Sequence, residues 1–298
     1  MEKTELLIIG AGAAGISAAS AAWEAGCRDV VLTDRLPCPG GILPQCLHEG
    51  FGLAAFGQEL TGPAYAERLA DGLAKTGVRF LPGREVLAVT KEKAAVLSGS
   101  GGVEEIRFER LILATGSRER TAGSLPLAGT RPAGIFTAGQ AQEMINLRHW
   151  QLGRRVVILG SGDLGMILAR RFTLEGKQVL AVLEQNAQYG GMARNYHRCI
   201  EAYRIPLLYR RTIREIHGMP RITGVAVEDL DSGGRELLPC DTLVTAIGLV
   251  PEREVIRGLE KEAWLSLVGN CSRIHDLADS AAAEGAAVGR DVGRQLVK

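Results

Sequence analysis

The sequence predicts an α/β fold made of two similar halves, each with a parallel sheet and a β-meander crossover. Three observations carry that prediction: a long ungapped internal repeat, a glycine-rich turn in each copy, and an acid at one fixed distance after each turn. Residues 6–41, LLIIGAGAAGISAASAAWEAGCRDVVLTDRLPCPGG, lie over residues 156–191, VVILGSGDLGMILARRFTLEGKQVLAVLEQNAQYGG, at an offset of 150. Gly10, Gly12 and Gly15 fall on Gly160, Gly162 and Gly165. Ala19 falls on Ala169, Gly26 on Gly176, Asp34 on Glu184, and Gly40 and Gly41 on Gly190 and Gly191. A lone G-x-G-x-x-G arises readily by chance. Two ungapped copies that also agree at flanking positions mark one duplicated unit.

Each copy reads as strand, tight turn, helix, strand. Residues 6–9 and 156–159 are short continuous apolar runs, as strands buried on both faces of a parallel sheet must be. Helices are expected over about 13–25 and 163–175, stopped by Gly26 and Gly176. Strands at 30–33 and 179–183 close right-handed βαβ units. Beyond them, residues 84–116 and 211–248 alternate polar and apolar around a turn, at 98–102 and 231–234, and end in RLILATG and TLVTAIG. That is a β-meander feeding another central strand. The whole is two Rossmann-like dinucleotide-binding domains.

The first glycine of such a turn makes the bend, the second lets a diphosphate approach the backbone, and the third lets helix pack on strand. The diphosphate then sits on the helix N-terminus, where free N–H groups and the helix dipole favour negative charge. Asp34 and Glu184, each 24 residues after the first glycine, are placed to accept hydrogen bonds from ribose hydroxyls. The candidate contacts are Gly10, Gly12, Ala13, Ala14, Gly15, Asp34 and Arg35 in the first copy. In the second they are Gly160, Gly162, Asp163, Leu164, Gly165 and Glu184. A carboxylate at 184 repels a 2′-phosphate, and residues 184–188, EQNAQ, offer no arginine, so NAD(H) is expected over NADP(H).

The bulk properties agree with this reading. A chain of 298 residues accommodates two domains. Its 46% hydrophobic and 23% charged residues are the balance of a soluble globular protein. A net charge of +1 gives no electrostatic ground for a nucleic acid or an anionic membrane as partner. The 38 glycines, against 11 prolines and with no glycine period, point to tight backbone approaches. The apolar stretch 6–22 is interrupted by three glycines and by Ser17 and Ser20, so neither a signal peptide nor an integral membrane segment is expected. Six cysteines without a C-x-x-C pair or metal-ligand spacing point to no metal site and to a reducing, cytoplasmic setting.

With these residues in place the chain resembles, over essentially its whole length, two-domain flavoproteins of the pyridine nucleotide–disulfide oxidoreductase superfamily of thioredoxin-reductase-like size. LILATG at 111–116 and LVTAIGLVP at 243–251 resemble the motifs where the chain crosses between domains. The resemblance implies a discontinuous FAD-binding domain, residues 1–118 and 250–298, and an NAD(H)-binding domain, 119–249, inserted in it. It adds Gly41, Ala114, Thr115 and Gly116 to the FAD set and Ala246, Ile247 and Gly248 to the NAD set. LVGN at 267–270 and HDLADSAAAEGAAVG at 275–289 resemble the FAD-closing segment, where a helix N-terminus points at the flavin. Gly269 and Asn270 join the FAD set, Asn270 standing where the family usually has Asp. Asp276 also joins the FAD set, and it is the expected N-cap of that helix. No interface domain of ~100 residues is expected after this helix.

Four further segments narrow the resemblance: 40–52 (GGILPQCLHEGFG), 59–69 (ELTGPAYAERL), 116–123 (GSRERTAG) and 129–142 (GTRPAGIFTAGQAQ). They are similar to flavoproteins encoded beside anaerobic glycerol-3-phosphate dehydrogenase and to FAD subunits of multi-component amino-acid dehydrogenases. This implies an electron-transfer partner protein or a small-molecule acceptor, in a homodimer or hetero-oligomer.

The segment after Gly41 is implied to run towards the flavin, making Gln45, Cys46 and His48 the candidate catalytic or electron-exit residues. A thiolate or imidazole there could exchange protons. Cys46 equally fits a small buried apolar residue, and His48 a hydrogen-bonded loop residue. His275 precedes the FAD-closing helix. Arg118 and Arg120 lie at the crossing, where an arginine could touch a phosphate or pair with an acid; Arg204, Arg210, Arg211 and Arg214 read as a solvated face. The expected reaction carries hydride from NADH to flavin and onward to an acceptor. Two alternatives stand beside it: a disulfide reductase using Cys38 and Cys46, which needs their Cα atoms within ~7 Å, and a non-catalytic FAD/NAD-binding component of a dehydrogenase complex.

Overall fold

The computed structural model describes residues 2–297; Met1 and Lys298, the ends of the expected first domain, lie outside the described residues. The chain divides into two compact units, residues 1–118 with 250–298, and residues 119–249. Both are α/β with parallel central strands, as the repeat predicts.

In the first unit the sheet runs in the order Arg79–Pro82, Val30–Asp34, Glu2–Ile9, Gly102–Leu113, Ala94–Gly99, Glu85–Val89. Leu265–Leu267 pairs in parallel alongside Gly102–Leu113. The first strand begins at Glu2, four residues before its apolar run, because Glu2–Thr4 already pair with residues 106–108. Polar side chains there hide a strand that backbone pairing makes. Helix Ala13–Glu24 follows the first glycine turn, and helix Ala278–Leu296 packs against it.

Those two helices meet through small residues. Gly285, Gly289 and Gly293 face Ala14, Ala18 and Ala22, and a Cβ on Gly289 would stand 2.1 Å from the Ala18 carbonyl oxygen. Backbone cannot swing aside as a side chain can. Gly289→Ala is therefore expected to destabilise the protein by roughly 1–3 kcal/mol, the usual cost of overpacking. Gly72→Ala is the control: it lies in helix Gly62–Ala74 with nothing within 4 Å of the added Cβ. Helix propensity alone should make it about 1 kcal/mol more stable. Denaturant unfolding of the two variants gives the comparison.

The second unit has the parallel order Ile135–Thr137, Thr242–Thr245, Arg155–Leu159, Gln178–Glu184, Leu207–Tyr209, with helix Asp163–Leu174 after the second glycine turn. Its meander differs from the first. In the first unit one 12-residue strand, Gly102–Leu113, serves both meander and central sheet. In the second the equivalent run breaks into Arg235–Leu238 and Thr242–Thr245. The meander strands then form their own sheet with Ala128–Gly129. Pro239 lies at the break, and a residue without an N–H cannot continue a ladder.

One expected cap is corrected. The final helix starts at Ala278 with Leu277 in extended conformation before it and no side-chain cap bond, while Asp276 is exposed outside the helix. The buried acid is Asp279, in the first turn, whose carboxylate accepts from the amides of Gly52 and Ala54 at 3.1 Å each. The helix is thus anchored by a loop distant in sequence. Among the described residues no helix is long and apolar enough to cross a membrane.

Candidate functional site

The three glycines of the first turn have different reasons to be glycine. Gly10 has φ +103°, and a Cβ there would stand 2.4 Å from the Ala114 carbonyl oxygen. A Cβ on Gly15 would overlap the Gly10 carbonyl at 1.7 Å. Around the Cβ position of Gly12 nothing lies within 4 Å. Two glycines therefore let backbone and helix close up, and one opens onto space beside the N-terminus of helix Ala13–Glu24. First-turn amides of a helix have no partner within it, and no acid stands in this first turn. Asp34 ties the turn to the next strand, accepting from the amides of Ala11 (2.6 Å) and Leu36 (2.8 Å), one on each oxygen. A carboxylate has about four acceptor sites, so each oxygen keeps capacity for a ribose hydroxyl.

A cavity of about 880 Å³ covers this turn, the size of a cofactor site. It lies at the carboxyl edge of the strands, where open α/β sheets bind ligands. Strand order gives it a direction. Asp34 ends the strand on one side of Glu2–Ile9; Ala114–Gly116 follow the strand on the other side, and Asn270 follows the strand beyond. A dinucleotide with one ribose at Asp34 and its diphosphate at Gly12 extends its other half towards a wall made by Cys46, Phe51, Asn270, His275, Leu277 and Ala278.

Gly10, Gly12, Ala13, Ala14, Asp34, Arg35 and Gly41 line the cavity, as do Ala114, Thr115, Gly116 and Asn270. Gly15 and Gly269 stand behind it: a Cβ on Gly269 would meet Ala14 at 2.7 Å. Asp276 is not part of the lining. Of Gln45, Cys46 and His48 only Cys46 reaches the cavity. His48 turns its Nδ1 to the Glu49 carbonyl at 3.0 Å and lays its ring 5.1 Å from Phe51. Burial pushes the Cys46 thiol up to about 12, and its Sγ faces the Ile42 carbonyl at 3.5 Å. Burial therefore disfavours the thiolate, the form of cysteine that acts as a nucleophile. Cys38 is exposed, and neither cysteine forms a disulfide.

Arg118 pairs with Glu252 (3.2 Å) and Glu254 (3.3 Å), which chooses the acid over the phosphate. Arg210, Arg211 and Arg214 likewise each hold an acid, Asp231, Asp229 and Glu228. The pairing missed by sequence reading is that of His275 with Glu284. The His275 side chain is only 6% exposed and lines the cavity, with Nε2 2.9 Å from the Glu284 carboxylate. The same carboxylate accepts from the Gly269 amide at 2.6 Å, and Asn270 accepts from the His275 amide at 2.9 Å. His275 lies before the helix and Glu284 within it, so no helical spacing announces the pair.

The second turn repeats the backbone geometry. Gly160 has φ +108° with the Ala246 carbonyl oxygen 2.2 Å from its would-be Cβ, Gly165 closes on the Gly160 carbonyl at 2.3 Å, and Gly162 is open. Ala246 stands to Gly160 as Ala114 stands to Gly10. Gly248 has φ +105°, while Leu164 and Ile247 pack partly into the cores beneath.

The rim differs. Glu184 is buried and holds four hydrogen bonds. One oxygen accepts from the Ser161 amide (3.2 Å) and hydroxyl (2.5 Å), the other from the Asn186 amide (2.9 Å) and side-chain Nδ2 (2.7 Å). All four of its acceptor sites are filled, so a ribose hydroxyl would have to displace the Ser161 hydroxyl or the Asn186 side chain. Asp163 accepts from the Met192 amide (2.8 Å) and Asn195 Nδ2 (2.7 Å), fastening that loop to the helix N-terminus. Arg210, remote in sequence, reaches the Gln185 carbonyl at 3.2 Å but is neutralised by Asp231 at 3.0 Å. Tyr189 and Tyr196 stack 4.6 Å apart nearby.

The family model described as pyridine nucleotide-disulphide oxidoreductase matches residues 4–267. A ferredoxin–NADP reductase of Gluconacetobacter diazotrophicus is 28% identical over 83% of this chain and 72% of that protein. An opine oxidase component of Agrobacterium tumefaciens is 26% identical over 83% of this chain, which spans only 52% of that protein. Among solved structures, the thioredoxin reductase of T. acidophilum superposes with a TM-score of 0.81 at 20% identity, covering 100% of both chains. The L-proline dehydrogenase of P. horikoshii gives 0.70 at 18% identity, over 99% of this chain and 56% of that one.

Proposed function

The chain belongs to the pyridine nucleotide-disulphide oxidoreductase family, and from that premise we propose that it draws a hydride from NADH at the second turn onto FAD in the first unit and passes the electrons to a protein partner. It is a FAD-dependent NAD(P)H oxidoreductase by family; the preference for NADH, the placement of each cofactor and the partner are the proposal.

The residues of the first unit fit FAD. Gly12 offers the open cradle, the amides at the start of helix Ala13–Glu24 suit a diphosphate, and Asp34 keeps acceptor sites for a ribose. FAD bound there supplies a two-electron acceptor that the side chains themselves do not. The protein contributes position and electrostatics. At the second turn Gly162 is the corresponding cradle, and the Glu184 carboxylate, with Arg210 neutralised beside it, disfavours a 2′-phosphate.

The observation that carries this reading is the pair of open second glycines, one in each unit, on rims of different chemistry; in the first unit burial raises the Cys46 thiol to about 12. The last point argues for electrons leaving the chain rather than reducing a disulfide within it. Two relatives are, by name, a ferredoxin–NADP reductase and a component of an oxidase, which supports a protein acceptor or a partner chain.

The test is anaerobic reduction with each nicotinamide cofactor, followed by thiol counting. NADH should be favoured over NADPH by at least about tenfold, or about 1.4 kcal/mol. The count of free thiols should be the same before and after the flavin is reduced. Two new thiols would establish a redox-active cysteine pair in place of an external acceptor, and equal use of NADPH would remove the role given to Glu184.

A further inference from the structure

The wall of the cavity beyond the diphosphate turn carries few groups able to exchange a proton near neutral pH. The Cys46 thiol is held protonated by burial. Arg118, Glu252 and Glu254 are engaged with one another. Asp279 sits behind the wall, fastened to the amides of Gly52 and Ala54 and facing the phenol of Tyr65. Asp276 is exposed and outside the lining. Among the described residues of that wall His275 is the remaining proton-exchanging group, its side chain 6% exposed and lining the cavity. It is fixed at both ends of its residue: the amide on Asn270 Oδ1, the ring Nε2 on Glu284. Glu284 is in turn held by the Gly269 amide and flanked by Arg273 at 3.7 Å. A carboxylate on one ring nitrogen stabilises the imidazolium when it forms.

We propose that His275, with Glu284 as its positioning residue, takes up one proton when FAD in this cavity is reduced. The inference rests on the placement of FAD in the first unit. Hydride transfer from NADH brings two electrons and one proton into the cavity and leaves NAD⁺ behind. The cavity thereby gains one negative charge. His275 balances it by binding one proton from water, so that one hydride and one proton enter and the net charge of the site is unchanged. A new negative charge nearby raises the pKa of an imidazolium, which is what drives the uptake. When the electrons leave for the acceptor, the hydride's proton and the one on His275 return to solvent.

The test is the midpoint potential of the bound flavin as a function of pH, read from its visible spectrum against redox dyes. One proton per two electrons moves the potential about 30 mV per pH unit, and two protons about twice that. Between about pH 7 and 8, the upper part of the range in which imidazoles generally change charge, the wild type should approach the two-proton slope. His275→Gln should show the one-proton slope throughout. Glu284→Gln keeps an acceptor for the Gly269 amide but removes the counter-charge, so its steep region should end at lower pH. The same slope in wild type and His275→Gln, both with FAD bound, overturns the proposal. If His275→Gln does not retain FAD, the Glu284→Gln profile decides: an unchanged profile overturns the proposal and a downward displacement upholds it. A wild type with no flavin spectrum overturns the cofactor placement itself.

Discussion

Gly12→Val should purify folded and without FAD. Gly12 has φ −77° and ψ −173°, an extended conformation that valine adopts, and nothing lies within 4 Å of the added Cβ. The fold meets no clash; the weaker N-cap propensity of valine costs it about 1 kcal/mol. The isopropyl group instead enters the cavity where a diphosphate must approach the backbone. Overpacking of about 1–3 kcal/mol corresponds to roughly 5- to 150-fold weaker binding. Loss of the amide contacts adds to that. The measurement is FAD content per chain after gel filtration, with far-ultraviolet circular dichroism as the check on folding. Gly15→Val is the contrast, because its Cβ would overlap the Gly10 carbonyl at 1.7 Å. It should lose both the fold and the cofactor.

Gly162→Val should keep FAD and lose NADH. The second turn has the same open glycine, with φ −61° and ψ 167°. The same side chain there blocks the other diphosphate and leaves the first unit untouched. The variant should be yellow, with a normal flavin spectrum, and its kcat/KM for NADH should fall roughly 5- to 150-fold on the same reasoning. The pair of variants separates the tenants of the two turns. If Gly162→Val loses FAD and Gly12→Val does not, the assignment of the two units is reversed.

The turns were legible because their glycines answer to backbone alone. Gly10 against Ala114 and Gly160 against Ala246 are the same contact in each copy of the repeat, and the glycines that make it can be found without any structure. Asp34 was legible for the same reason. Glu184 was legible in position but not in state: its saturation depends on Ser161 and Asn186, whose side chains fill sites a ribose would use. Asp276 was misplaced as a cap because spacing before a helix does not reveal that Asp279 is claimed by the loop at 52–54. The break at Pro239 belongs to the second unit alone: a residue without an N–H stands where the first unit has one continuous strand. Arg210 on Asp231 and His275 on Glu284 are tertiary pairings between segments with no common period, and only the folded chain brings them together.

Hydride passing from a nicotinamide to a flavin held by the same chain is the central claim. Anaerobic titration of the purified wild type with NADH, followed in the visible flavin band, tests it most directly. The expected result is full loss of the band at one NADH per bound FAD. A band that persists at saturating NADH and NADPH, with FAD still bound, would contradict the claim and leave a chain that holds its cofactors without passing electrons between them.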